Sequence, residues 1–167
     1  WNKTAITQRC IESLLNTDYL NYKVLVIDNG STEISEINLE SCFPSIHFIH
    51  NAENKGYTGG NNQGIEYALN DGAKYIWLLN NDALVDKNTL SELVYACEQD
   101  SGIGLAHSII FDNPIEKNLL YCGSFIDMKN GIFRTAKEIN TILDWQKNYP
   151  ENIALWGTAL LINVDCY

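Results

Sequence analysis

The chain has 167 residues, 46% of them hydrophobic and 19% charged, with a formal net charge of -10. That length suits one domain with a substantial buried core, and the composition lies outside the ranges of disordered and membrane-embedded chains. Nucleic acid is excluded as a partner, because polymer phosphate is held chiefly by Lys and Arg, and 11 such residues stand against 21 Asp and Glu. A small anion neutralised by a divalent cation and backbone N–H groups remains compatible with this balance.

From Thr4 to Asn16, apolar residues recur at Ile6, Cys10 and Leu14, with Ile11 and Leu15 widening the stripe. That spacing predicts a helix packed on a sheet. Lys23 to Asp28 follows as a short strand, apolar on both faces as a covered parallel strand should be, and Asn29-Gly30-Ser31 ends it. Glu33 to Cys42 reads as a helix, Ile46 to His50 as a second strand, Asn61 to Leu69 as a helix and Tyr75 to Leu79 as a third strand. Leu90, Leu93, Val94 and Cys97 then mark a helix, for which Thr89 and Glu92 are spaced as a capping box. A fourth apolar run covers Ile103 to Phe111. Strands that alternate with helices predict parallel pairing through right-handed crossovers, hence an α/β doubly wound, mostly parallel sheet flanked by helices. Beyond Asp112 the period loosens; Leu119 to Met128 and Ile153 to Val164 read as strands around a partly helical insert containing Trp145.

The five cysteines have no C-x-x-C spacing, and an odd number cannot pair fully within the chain, which favours a reducing cytoplasm. No apolar run approaches the roughly 18 residues that cross a membrane.

Ligands of open parallel sheets gather outside the carboxyl ends of the strands. Here those ends are Asp28-Asn-Gly-Ser31, the stretch from Asn51 to Gly60, and Asn80-Asn-Asp82, so Asp, Asn and Gly collect on one rim. Each alone is an ordinary turn; three polar rims together point to a binding edge. Asn54 to Gly64 brings several glycines before a helix, where backbone can approach a ligand closely, although it matches neither the dinucleotide fingerprint nor the P-loop. Asp82, behind an apolar strand, is a candidate ligand for a hard cation of the kind that takes one or two protein carboxylates and fills its shell with water and phosphate. His47, His50 and His107 lack metal spacing and read as structural residues. Trp77, Trp145 and Trp156 read as packing.

Four blocks in order, with a fifth behind them, resemble glycosyltransferase family 2, which has the GT-A fold and includes many rhamnosyltransferase-like enzymes. Trp1-Asn2 looks like the end of the family's first strand, and Val26-Ile-Asp-Asn-Gly-Ser-Thr32 like its base-binding turn. Asn54-Lys-Gly-Tyr-Thr-Gly-Gly-Asn-Asn-Gln-Gly64 is similar to its glycine-rich loop, and Leu78-Leu-Asn-Asn-Asp-Ala-Leu-Val85 to its metal-binding region. Trp156-Gly-Thr-Ala-Leu-Leu-Ile162 follows.

The resemblance implies a nucleotide site formed by Trp1, Asp28, Asn29, Gly56, Gly60, Asn61, Asn80 and Asn81. Within it Asp28 would accept the imide N–H of a uracil or thymine ring, and Asn61 stands where relatives often carry Arg. Asp82 would hold a divalent cation, Mn2+ or Mg2+, while Gly157 and Thr158 would lie on the sugar and acceptor side. It further implies an inverting transfer from a UDP- or dTDP-sugar to a hydroxyl of a glycan or lipid-linked acceptor in cell-surface polysaccharide or glycan synthesis, in the cytoplasm or at the cytoplasmic face of the membrane with peripheral association. The chain departs from the family in offering one carboxylate in Asn-Asn-Asp where others offer two or three. It is expected to be a single, incomplete GT-A-like domain over residues 1–167, the first strand preceding Trp1 and an acidic catalytic base following Tyr167, and so to turn donor over poorly by itself. The competing readings are a non-catalytic nucleotide-sugar-binding module and a sugar nucleotidyltransferase. Loss of metal-dependent nucleotide binding on Asp82→Ala would separate the enzyme from the module.

Overall fold

A computed structural model describes residues 2–32, 38–113 and 115–166. The first half follows the expected alternation. Helix α1 (Thr4–Leu15) precedes strand β1 (Leu25–Asp28), α2 (Leu39–Cys42) precedes β2 (His47–His50), α3 (Gly56–Asn70) precedes β3 (Tyr75–Leu79), and α4 (Thr89–Gln99) precedes β4 (Leu105–His107). Of the helix expected from Glu33, residues 33–37 lie outside the described residues.

Strands β1 and β2 pair in parallel, with Leu25 opposite His47 and Asp28 opposite His50. The expectation of a mostly parallel, doubly wound sheet needs correction beyond that pair. β10 (Ala159–Asn163) lies between β3 and β4 and runs antiparallel to both, Leu161 standing opposite Trp77 on one side and Ala106 on the other. β3 and β4 therefore run in the same direction without touching. The physical reason lies in Ala159-Leu-Leu-Ile-Asn163, which is buried at four of its five positions. A strand this apolar is excluded from any edge and takes the centre of its sheet.

Helix α4 covers that sheet. Leu90, Leu93, Val94 and Cys97 recur at helical spacing and join Leu161 in the main core, with Tyr75, Trp77, Ile103 and Ala106 packed around them. Burying each Leu or Val side chain contributes about 1.5–3 kcal/mol, so this stripe anchors the crossover from β3 to β4. The expected capping box does not form. Asn88 is the N-cap and makes no side-chain cap bond, because Thr89 is already the first helical residue and is placed one position too late to cap.

The insert forms smaller sheets. The apolar run from Ile103 breaks into β4 and β5 (Ile110–Phe111), and the one from Leu119 breaks into β6 (Leu119–Tyr121) and β7 (Ser124–Asp127). β5 pairs with β6, while β7 pairs with β8 (Ile132–Thr135) and β9 (Ile153–Ala154), all antiparallel. The break after Tyr121 falls at Gly123, whose φ is +138° and where a Cβ would lie 2.5 Å from Cδ1 of Ile142. Ile142 is the buried residue of α5 (Ile139–Asn148), so the glycine lets that helix seat on the sheet.

Candidate functional site

The polar rim expected at the strand ends is assembled by hydrogen bonds between segments distant in sequence. At the tip of β1, Oδ1 of Asp28 accepts from the Ser31 N–H at 3.1 Å, and Oδ2 lies 3.2 Å from Nδ1 of His50. Burial pushes the Asp28 carboxyl up, but hydrogen bonds from Ser31 and His50 outweigh it and hold the group below its ordinary value. Asp28 is therefore an ionised acceptor at neutral pH.

Asn29 works as a clasp. Its Nδ2 donates to Oδ1 of Asn54 and to the Gly56 carbonyl, both at 3.0 Å, while its Oδ1 accepts from the Lys55 N–H at 3.0 Å and from Nδ2 of Asn51 at 3.2 Å. With donors and acceptor all engaged by protein, Asn29 serves to fix the glycine-rich segment against the β1 tip. Gly30 makes the approach possible: its φ is +74°, and a Cβ there would lie 2.5 Å from the backbone carbon of Glu53.

The glycine-rich segment differs from expectation, since the helix begins at Gly56 rather than near Asn61. The Asn54 side chain accepts from the Gly56 N–H at 2.8 Å and turns the chain into the helix, so Gly56, Gly60 and Asn61 all lie on α3. Gly60 is buried against the Asn29 amide, 3.4 Å from where its Cβ would stand, an ordinary contact distance. The Asn29 side chain thus holds the helix start close to the β1 tip.

From α3 the network passes to the β9–β10 connection and on to the β3 tip. The Tyr57 hydroxyl donates to the Gly157 carbonyl at 2.7 Å, and the Asn80 N–H donates to the Thr158 carbonyl at 2.9 Å. Asn81 turns inward, its Nδ2 donating to Oγ1 of Thr7 on α1 at 2.8 Å. Asp28, Asn29, Gly56, Gly157, Thr158, Asn80 and Asn81 are in this way linked or adjacent to one another. Asn2 extends the network at the β1 end, its N–H donating to Oγ of Ser31 at 3.0 Å and its Oδ1 accepting from the Thr32 N–H at 2.9 Å. Trp1 lies outside the described residues.

Asp82 follows this tip and is exposed. Its charge is felt by Cys10, whose thiol is pushed up to about 11, first by burial and then by the Asp82 carboxylate. Among the described residues no hydrogen bond or ion pair engages that carboxylate, and no group of three or more His, Cys, Asp or Glu is placed to hold a metal. A lone exposed carboxylate does not make a closed cage. It fits a cation that takes most of its ligands from water and phosphate.

Sequence reasoning missed His50, Glu40 and Tyr57. His50 and Asp28 each end their strand, which is the signal that pairs them once the strands are taken as parallel. Nothing in the sequence marked Tyr57 as the partner of Gly157.

The family model described as Glycosyl transferase family 2 matches residues 1–161. Among relatives, the low-salt glycan biosynthesis hexosyltransferase Agl10 of Haloferax volcanii is 34% identical over 82 residues, covering 48% of this chain and 26% of that protein. WcaA of Escherichia coli K12, a glycosyl transferase assigned to colanic acid biosynthesis, is 31% identical over 94 residues, covering 54% and 33%. An uncharacterized glycosyltransferase of Rickettsia bellii is 34% identical over 106 residues, covering 62% and 15%. The chain thus spans a third or less of the length of each of these relatives.

Proposed function

The chain belongs to glycosyl transferase family 2, and from that premise we propose that its polar rim is the donor site of an enzyme that transfers a sugar from a UDP- or dTDP-sugar to a hydroxyl of a glycan or lipid-linked acceptor. The family implies the GT-A nucleotide-sugar transferase fold. The observation that supports the reading is the hydrogen-bonded path from Asp28 through Asn29, Gly56 and Tyr57 to Gly157, Thr158 and Asn80, which ties the ends of β1 and β3 together through α3. The names of Agl10 and WcaA, which place them in glycan and colanic acid biosynthesis, favour cell-surface polysaccharide or glycan assembly.

Each part has a physical task. The ionised Asp28 accepts the imide N–H of uracil or thymine, a role suited to a group that only accepts. The start of α3 presents N–H groups to the diphosphate, and Asn29 keeps that start in place. Asn80, tied through its own N–H to Thr158, positions the β3 tip beside the ribose, with Gly157 and Thr158 toward the sugar and acceptor. Asp82 would hold Mn2+ or Mg2+, which when bound supplies charge stabilisation to the leaving nucleoside diphosphate. Attack of the acceptor hydroxyl on the anomeric carbon from the side opposite that leaving group, its proton passing to a carboxylate base, breaks the bond to the nucleoside diphosphate and gives inversion.

Calorimetric titration with UDP, dTDP and GDP, each with and without Mn2+, tests the reading. UDP or dTDP is expected to bind more tightly than GDP and to depend on the metal. Absence of nucleotide binding, or binding indifferent to the metal, overturns the proposal.

A further inference from the structure

Asp28 and His50 end the two parallel strands side by side, paired in register. The imidazole bridges two carboxylates from other elements: Nδ1 faces Oδ2 of Asp28 at 3.2 Å, and Nε2 is hydrogen-bonded to Oε1 of Glu40 on α2. Resting on the donor-site reading above, we propose that His50 is a positioning residue for base recognition, holding the Asp28 carboxylate in the orientation that accepts the imide N–H of uracil or thymine.

A carboxylate on a short side chain rotates freely unless both oxygens are tethered. Here Oδ1 is tethered to the Ser31 N–H and Oδ2 to His50, and each oxygen keeps acceptor capacity for a ligand. Glu40 does for the imidazole what the imidazole does for Asp28, fixing the ring from its far side. Among the described residues, the titratable groups facing the ring are Asp28 from β1 and Glu40 from α2; on β2 itself the uncharged Phe48 ring lies 6.4 Å away, 11° from parallel. A carboxylate facing each nitrogen favours the doubly protonated, positively charged ring. The hydrogen bond to Glu40 and then that to Asp28 raise its pKa against the opposing effect of burial. That charge also offsets one of the two carboxylates beside the site, where a diphosphate has to approach.

Base discrimination follows from hydrogen-bond polarity. Uracil offers an N–H at its third ring position, whereas cytosine offers an acceptor there, so a fixed carboxylate favours UDP over CDP. A carboxylate free to rotate loses much of that advantage.

The test is the ratio of UDP to CDP affinity, measured by calorimetry with Mn2+ on the 167-residue protein and on His50→Ala, His50→Gln and Glu40→Gln. Wild type is expected to prefer UDP. His50→Ala lowers the ratio about 10-fold, chiefly by weakening UDP, the scale of one well-placed charge-assisted hydrogen bond. His50→Gln keeps an N–H donor and recovers most of the ratio, and Glu40→Gln lowers it by a smaller factor, leaving a readout should His50→Ala fail to fold in thermal unfolding. A ratio unchanged in the folded His50 variants and in Glu40→Gln, or equal weakening of both nucleotides, overturns the positioning role. Wild type that binds neither UDP nor dTDP overturns the donor site itself, and is told apart because no ratio then exists to change.

Discussion

The Tyr57 hydroxyl donates to the Gly157 carbonyl at 2.7 Å across 100 residues of sequence, joining the first turn of α3 to the β9–β10 connection. The contact leaves no space for a side chain at position 157: a Cβ there would lie 2.5 Å from the Tyr57 oxygen and 3.3 Å from Cζ. Gly157→Ala is therefore expected to push the Tyr57 ring aside and weaken UDP binding several-fold, with a stability loss of about 1 kcal/mol from the lost hydrogen bond. A double-mutant cycle with Tyr57→Ala checks this, because removing the ring first should make Gly157→Ala nearly silent. Additive losses would refute the contact.

Gly30 is under a harder constraint. Its φ of +74° and the 2.5 Å approach of Glu53 backbone leave nothing flexible to yield, so Gly30→Ala is expected to cost about 2–4 kcal/mol. Gly56 is the control, since its φ of +71° is similar but its Cβ position is open. Gly56→Ala should cost only the strain of a left-handed alanine, about 1 kcal/mol. Urea denaturation of both variants separates backbone clash from backbone conformation.

The alternation of β-branched runs with helical stripes is enough to read the first three strands and helices α1 and α4, because their periods are set locally. Three things were hidden by the same locality. Ala159 to Asn163 reads as a buried strand, but its direction between β3 and β4 depends on the path of the insert. Glycines weaken helix propensity, which points to a start of α3 near Asn61, whereas Asn54 and Asn29 anchor the helix from Gly56. His50 read as a structural histidine, since its partners Asp28 and Glu40 come from separate elements that the sequence does not show in contact. The polar tips at Asp28 and Asn80 were legible because strand ends carry their own turn chemistry.

Asp82 is predicted to separate binding from folding. Its side chain is exposed and unpaired among the described residues, so Asp82→Asn should leave stability within about 0.5 kcal/mol of wild type. The same change removes the negative charge of the proposed cation ligand at the β3 tip. Nucleotide affinity in Mn2+ is expected to fall about 10-fold or more toward the value measured with chelator, while metal-free binding stays as it was. Calorimetry in both conditions, with thermal unfolding alongside, checks both halves; an unchanged metal dependence would place the cation elsewhere.

The Asp28–His50–Glu40 cluster predicts a defined pH profile of stability. The folded pKa of His50 is raised by its hydrogen bonds to Glu40 and Asp28, so its contribution is fully present below the unfolded value of about 6.5 and is lost as pH rises through the folded value. The Asp28 pKa is depressed, burial being outweighed by hydrogen bonds from Ser31 and His50. Its contribution is present above the unfolded value of about 3.9 and lost as pH falls through the folded one. The two windows overlap between about pH 4 and pH 6.5, where wild type should exceed His50→Gln in stability by the largest margin. Urea denaturation of both proteins from pH 4 to pH 9 measures that margin. It should shrink steadily above neutrality, because glutamine holds no charge to lose; a margin that stays flat across the range would show that the His50 pKa is the same in the folded and unfolded protein.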